Sequence, residues 1–222
     1  MLAADEVSWD CGSWRSGGLA ASSGRVTSFD FADAVLQKLA RKDVFPNLRA
    51  IVVAGFSAGG QYVNRYSMSN ELHDKLRVPV SYVVGSPSSY AYPDSIRPAG
   101  ESFQPYSDAR NCTTYDRWPY GFHERSGYSA RLSGQQLQTQ LVSRSVTYLL
   151  AGLDTLPLFG FDGSCPAMAQ GPNRLARGEA FFKLVTERHG ARHQKIVIPN
   201  CGHSDRCVFT SEVALPVLFG KP

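Results

Sequence analysis

The chain has 222 residues, 43% of them hydrophobic and 19% charged, a size that suits one large domain and a composition that excludes charge-driven disorder. Lys and Arg number 23 against 19 Asp and Glu, a net charge of +4 with no basic block, so no nucleic-acid partner is expected. No apolar run approaches the ~18 residues of a transmembrane helix.

Residues 1–27 show no sustained period. Met1-Leu2-Ala3-Ala4 runs at once into Asp5 and Glu6, so no apolar leader segment is visible; that would suggest a cytoplasmic protein if Met1 were the natural start. The first predicted helix opens at Ser28 as N-cap, with Asp30 and Asp33 near its positive end. Phe31, Val35, Leu36 and Leu39 form its apolar face, and Pro46 stops it. Leu48–Ala54 is short, apolar and β-branched, the pattern of a strand buried on both faces. It runs into Gly55-Phe56-Ser57-Ala58-Gly59-Gly60, followed by a helix over 58–69. Val78–Val84 is a second strand, ended by Gly85.

Residues 87–140 form a long irregular insertion carrying Tyr90, Tyr92, Tyr106, Tyr115, Trp118, Tyr120, Phe122 and Tyr128. So long a connection reads as a cap over a site; the plainer reading is that its aromatics pack it onto the core. A third strand, 145–152, ends at Leu153-Asp154-Thr155. A helix over 177–188 stops at Gly190. A fourth strand, 195–198, leads into Asn200-Cys201-Gly202-His203-Ser204-Asp205, and a short helix begins near Ser211. Strands alternating with helices predict one α/β domain with a mostly parallel sheet.

Gly55-x-Ser57-x-Gly59 carries the chemistry. A serine on a very tight strand-to-helix turn points its hydroxyl away from the sheet's carboxyl edge, and its neighbours must be small. The following helix offers free N–H groups, that of Ala58 first, to negative charge developing beside Ser57. By chance the triplet is expected about 0.07 times in such a chain; its place between a β-branched run and a helix makes it specific. An alcohol needs a base, and the base an orienting acid. Asp154 and His203 each lie just past the carboxyl end of a later strand, and the order Ser…Asp…His suits this architecture.

Asp162, in the same loop as Asp154, is the second choice of acid. His73, His123 and His189 lie at helix ends or in the insertion, and His193 precedes a strand, at the wrong edge. The five cysteines, Cys11, Cys112, Cys165, Cys201 and Cys207, leave at least one thiol unpaired or paired between chains. None has zinc-ligand spacing, and no metal is expected. Cys201 and Cys207 bracket His203; a disulfide between them would brace its loop, and neither sits on a strand-to-helix turn as a nucleophile would. Asn111-Cys112-Thr113 fits a glycosylation sequon.

Gly55-Phe56-Ser57-Ala58-Gly59-Gly60 resembles the nucleophile elbow of the α/β-hydrolase superfamily, and Asp154 and His203 resemble its acid and histidine. Pro87-Ser88-Ser89-Tyr90, Trp118-Pro119-Tyr120-Gly121 and Gln170-Gly171-Pro172-Asn173-Arg174 mark a branch without a settled substrate. The resemblance spans about residues 28–219. It implies a serine hydrolase, most often an esterase, that needs no cofactor and acts on a small-molecule ester.

That superfamily takes a second oxyanion donor from a loop after an earlier strand. Only 27 residues precede Ser28. Ser16-Gly17-Gly18 could imitate such a loop, but no room remains for the intervening elements. The expectation is a chain missing the N-terminal half-sheet: a fragment, a mispredicted gene start or a degenerate copy. Two functions follow from this, a serine hydrolase or a catalytically impaired remnant with a binding role.

Overall fold

Local hydrogen bonding puts the cap of α1 (Ser28–Leu39) at Thr27, one residue before the expected one. The Thr27 hydroxyl accepts from the Asp30 N–H, and the Asp30 carboxylate accepts from the Thr27 N–H, a reciprocal capping box. Ser28 is not the cap, because its hydroxyl donates to the Trp14 carbonyl at 2.7 Å. A computed structural model describes residues 6–158 and 160–220; Met1–Asp5, on which the expectation about a leader segment rests, lie outside the described residues.

The apolar face of α1 differs from the expected one. Phe29 and Leu36 are buried, whereas Phe31 and Val35 are 55% and 42% exposed. Two overlapping stripes share this helix, and only the Phe29 stripe meets Tyr62, Tyr66 and Tyr128. Phe31 and Val35 instead line a groove of about 750 Å³ between α1 and the first strand. That strand, β1 (Ile51–Phe56), is not buried on both faces as expected: only Ile51 is buried, and Ala54 is exposed. Among the described residues it pairs on one side alone, with β2 (Val80–Gly85).

Between these strands runs α2 (Ala58–Ser69), which buries Val63, Tyr66 and Met68. The 87–140 stretch contains an antiparallel hairpin, β3 (Ile96–Ala99) and β4 (Ser102–Pro105), turned at Gly100 with φ +61°. It also contains most of α3 (Gly134–Ser143), started by a Ser133–Gln136 capping box. Its Tyr90, Tyr92, Trp118, Phe122 and Tyr128 are buried in the main core, with Tyr90 stacked on Phe181 at 4.6 Å. A disulfide joins Cys112 to Cys165. The outer part of the insertion is more open, Tyr106 and Tyr115 meeting there at 5.0 Å.

β5 (Val146–Ala151) is buried at every position. α4 (Cys165–Met168) precedes α5 (Arg174–Lys183), which starts three residues before the predicted Arg177 because the Asn173 side chain accepts from Ala176 N–H; Leu184–Arg188 continue it as a π-turn. β6 (Gln194–Ile198), α6 (Asp205–Phe209) and α7 (Leu215–Phe219) complete the chain. The main sheet has the order β1-β2-β5-β6, parallel throughout. Helices flank it, as the mixed α/β pattern predicts. The carboxyl ends of β1, β5 and β6 therefore share one rim, where loops can bring distant residues together.

Candidate active site

Ser57 sits between β1 and α2 with no intervening loop. Its backbone is in an unusual left-handed conformation, φ 54° and ψ −114°, and its N–H donates to Gly85 O at 2.8 Å. Such a conformation in a non-glycine residue is strained and needs its surroundings to hold it. The sharpness of the turn decides which neighbours must lack a side chain. A Cβ at Gly55 would lie 2.3 Å from Gly59 O, and one at Gly60 2.5 Å from Gly85 O. Gly59, the third member of the Gly-x-Ser-x-Gly pattern, has open space around it. The steric requirement therefore falls on Gly55 and Gly60.

Asp154 follows β5 and is 2% exposed. Its N–H donates to Ala151 O at 3.1 Å, closing a turn at the strand end. His203 follows β6 in a loop closed by the Cys201–Cys207 disulfide, and Phe56 packs against its ring at 4.8 Å between centroids. Ser204 caps α6 immediately afterwards.

The three side chains form a continuous chain of hydrogen bonds. Asp154 Oδ2 lies 2.6 Å from His203 Nδ1, and His203 Nε2 lies 2.9 Å from Ser57 Oγ. A carboxylate only accepts, so Nδ1 carries the proton and donates to Asp154. Nε2 is then the acceptor that faces the serine hydroxyl. The other oxygen, Asp154 Oδ1, accepts from Arg174 Nη1 at 3.4 Å. Burial pushes the Arg174 guanidinium below its ordinary range, and Asp154 opposes that shift. Ala58 is the first residue of α2, where a helix leaves backbone N–H groups without intrahelical partners.

The remaining candidates have other partners. Asp162 accepts from Tyr120 Oη at 2.8 Å and from Ser164. His73 meets Tyr82 Oη, His123 meets Asp116, and His189 meets Asp94. His193 is buried between Tyr148 Oη and Leu141 O, and burial pushes it down to about 4. The Ser16-Gly17-Gly18 segment does not offer the glycine N–H groups an oxyanion loop would use. Both Gly17 and Gly18 donate to Ser13 O, and a Cβ at Gly17 would lie 2.6 Å from the Phe29 ring. These glycines serve packing. Arg174 carried no role in the sequence reading; the one signal was its place in the Gln170–Arg174 segment.

No family model matches the sequence, and no curated protein does. Solved structures match the fold. Poly(3-hydroxybutyrate) depolymerase LpqC from Bordetella parapertussis is 21% identical with a TM-score of 0.64, over 94% of this chain and 65% of that one. Poly(aspartic acid) hydrolase-1 from Sphingomonas sp. KT-1 is 22% identical with a TM-score of 0.58, over 88% of this chain and 66% of that one. The fold is an α/β-hydrolase fold. The chain spans about two thirds of the length of these structures. Among the described residues, no helix is long and apolar enough to cross a membrane.

Proposed function

We propose that the chain is a serine hydrolase that cleaves an ester by acyl transfer to water. The observation that carries this reading is the unbroken path of 2.9 Å and 2.6 Å contacts from Ser57 through His203 to Asp154. As His203 Nε2 takes the hydroxyl proton, Ser57 Oγ attacks the acyl carbon. The imidazolium returns that proton to the leaving alcohol, whose bond to the acyl group breaks. Water then enters by the same route in reverse: His203 takes its proton, the hydroxide attacks the acyl-serine, and Ser57 leaves with the proton back on Oγ. Asp154 orients the imidazole and stabilises its cation. The Ala58 N–H, at the positive end of α2, stabilises the oxyanion of both tetrahedral intermediates. No metal or cofactor enters this scheme.

The insertion over residues 87–140 is proposed to bound the substrate site, with Tyr120 reaching Asp162 beyond β5. The two fold neighbours are a poly(3-hydroxybutyrate) depolymerase and a poly(aspartic acid) hydrolase, which brings polymer-derived substrates into the set to be tested, so short 3-hydroxybutyrate oligomers join simple aryl esters.

A binding role without turnover is the second reading. It is supported by the Gly17 and Gly18 N–H groups being spent on Ser13, because loss of one oxyanion donor typically costs about 100- to 1000-fold in turnover. Reaction with a fluorophosphonate probe and hydrolysis of a short aryl ester decide between them. Labelling confined to Ser57 and lost in Ser57→Ala supports the hydrolase; an unreactive, folded protein overturns it.

A further inference from the structure

Two sequence segments that the proposed chemistry leaves unused interlock behind Asp154. Pro87-Ser88-Ser89-Tyr90 follows β2, and Gln170-Gly171-Pro172-Asn173-Arg174 leads into α5. The Gln170 side chain grips the Tyr90 backbone at both ends: its Oε1 accepts from Tyr90 N–H and its Nε2 donates to Tyr90 O, each at 2.8 Å. Asn173 caps α5, which fixes where Arg174 stands. Arg174 is fully buried. It donates from Nε to Ser88 Oγ at 2.7 Å, from Nη2 to Leu158 O at 3.2 Å, and from Nη1 to Asp154 Oδ1 at 3.4 Å.

A buried guanidinium is costly unless a carboxylate balances it, and Asp154 supplies that balance. The two carboxylate oxygens are thus divided, one to Arg174 and one to His203. Resting on the hydrolase reading above, we propose that Arg174 is a positioning and charge-balancing residue: it clamps Asp154 Oδ1 so that Oδ2 meets His203, and it moderates how strongly that carboxylate favours the imidazolium over the free base.

The physical reason is simple. An isolated buried carboxylate 2.6 Å from an imidazole strongly favours the charged ring. A fixed positive charge on its far oxygen offsets part of that attraction, so the base stays free to take the Ser57 proton at lower pH. Other charged groups on the neighbouring elements are engaged elsewhere or exposed. Arg177 of α5 donates to the Gly171, Ser88 and Asp162 carbonyls. Asp162 is held by Tyr120 and Ser164. Tyr90, behind Asp154, is kept neutral by burial. Asp205 and Arg206 of α6 are exposed, and from β1 the uncharged Phe56 packs on the ring.

The test compares wild type with Arg174→Gln and Arg174→Lys. Two readouts are followed against pH: the rate of fluorophosphonate labelling at Ser57, and the imidazole nitrogen resonances of His203 by NMR. In Arg174→Gln the acid limb of labelling and the His203 midpoint move together to higher pH by about one unit, while Arg174→Lys stays near wild type. Coincident curves for wild type and Arg174→Gln, or equal shifts in both variants, overturn the proposal, since a purely structural role would not separate Gln from Lys. Wild type that fails to label at any pH sinks the hydrolase reading instead, and the NMR midpoints still decide the role of Arg174. If Arg174→Gln does not fold, Ser88→Ala, which releases Arg174 Nε, is expected to shift the midpoint upward by a smaller amount; no shift overturns the proposal.

Discussion

The Leu153 N–H donates to the Cys201 carbonyl at 2.8 Å, which fastens the loop of Asp154 to the loop of His203 one residue before the acid and two before the histidine. Neighbouring strands continue the tie, because the Gly152 N–H donates to Ile198 O at 2.8 Å. Asp154 and His203 therefore share one backbone frame, while Ser57 is set by a separate strand end. Relative motion of the β6 loop is restrained on its far side by the Cys201–Cys207 disulfide.

That disulfide and the Cys112–Cys165 bond leave Cys11 as the free, exposed thiol. Alkylation of the native protein is expected to modify one cysteine, and alkylation after reduction and unfolding all five. By the chain-entropy argument, opening the six-residue separation of Cys201 and Cys207 costs roughly 2 kcal/mol, and opening the 53-residue one of Cys112 and Cys165 roughly 4 kcal/mol. Denaturant unfolding of the Cys→Ser pairs checks the order. On the proposed hydrolase reading, the smaller loss should carry the larger drop in ester hydrolysis, because that bond braces the His203 loop.

On the proposed hydrolase reading, removal of Ser57 or His203 should separate chemistry from folding. Ser57→Ala and His203→Ala are each expected to lower kcat about 10⁴- to 10⁶-fold, and the double variant scarcely further, because the groups act as a unit. Asp154→Asn should lower it about 10⁴-fold through loss of the Nδ1–H tautomer. Steady-state hydrolysis of an aryl ester measures the rates. Asp154→Asn should also destabilise the fold, since Arg174 then loses its buried countercharge; Ser57→Ala should not.

Much of this arrangement is legible along the chain because its cues are local. A β-branched run ending in small residues before a helix gives β1, Ser57 and α2, and the strand ends give the positions of Asp154 and His203. The features that sequence reasoning missed depend on partners distant in sequence. Phe29 and Phe31 lie on adjacent stripes of α1, and only the docking of α2 and Tyr128 selects Phe29. The Cys112–Cys165 pairing has no local signature. A buried Arg174 reads in sequence like any solvent-facing arginine at the start of a helix, and its role needs the position of Asp154, 20 residues away.

The turn at Ser57 makes a sharp prediction about glycines that look alike in sequence. Gly59→Ala meets no atom within 4 Å and should be neutral or stabilising by up to about 1 kcal/mol, since alanine suits the first turn of α2 better. Gly60→Ala would place a methyl 2.5 Å from Gly85 O, backbone that is paired in the sheet, and should destabilise by about 1–3 kcal/mol. It should also slow labelling of Ser57 by moving the strand-to-helix turn. Urea unfolding of the two variants tests the ordering, and equal losses would contradict the turn geometry.

His193 gives the molecule a calculable response to acid. It is buried against Tyr148 and Leu141, and burial lowers it from about 6.5 to about 4. The unfolded chain takes up this proton near pH 6.5, whereas the folded one resists it until about pH 4. Protons therefore bind the unfolded state preferentially between those values, and stability falls as pH drops through that window. A shift of this size corresponds to at most about 3 kcal/mol. In His193→Gln the glutamine can still reach Tyr148 and does not titrate, so unfolding free energy between pH 6.5 and pH 4 should fall less steeply than in wild type. Parallel curves for the two proteins, measured by urea titration at each pH, would mean that His193 is protonated in the folded state and that burial does not hold it neutral.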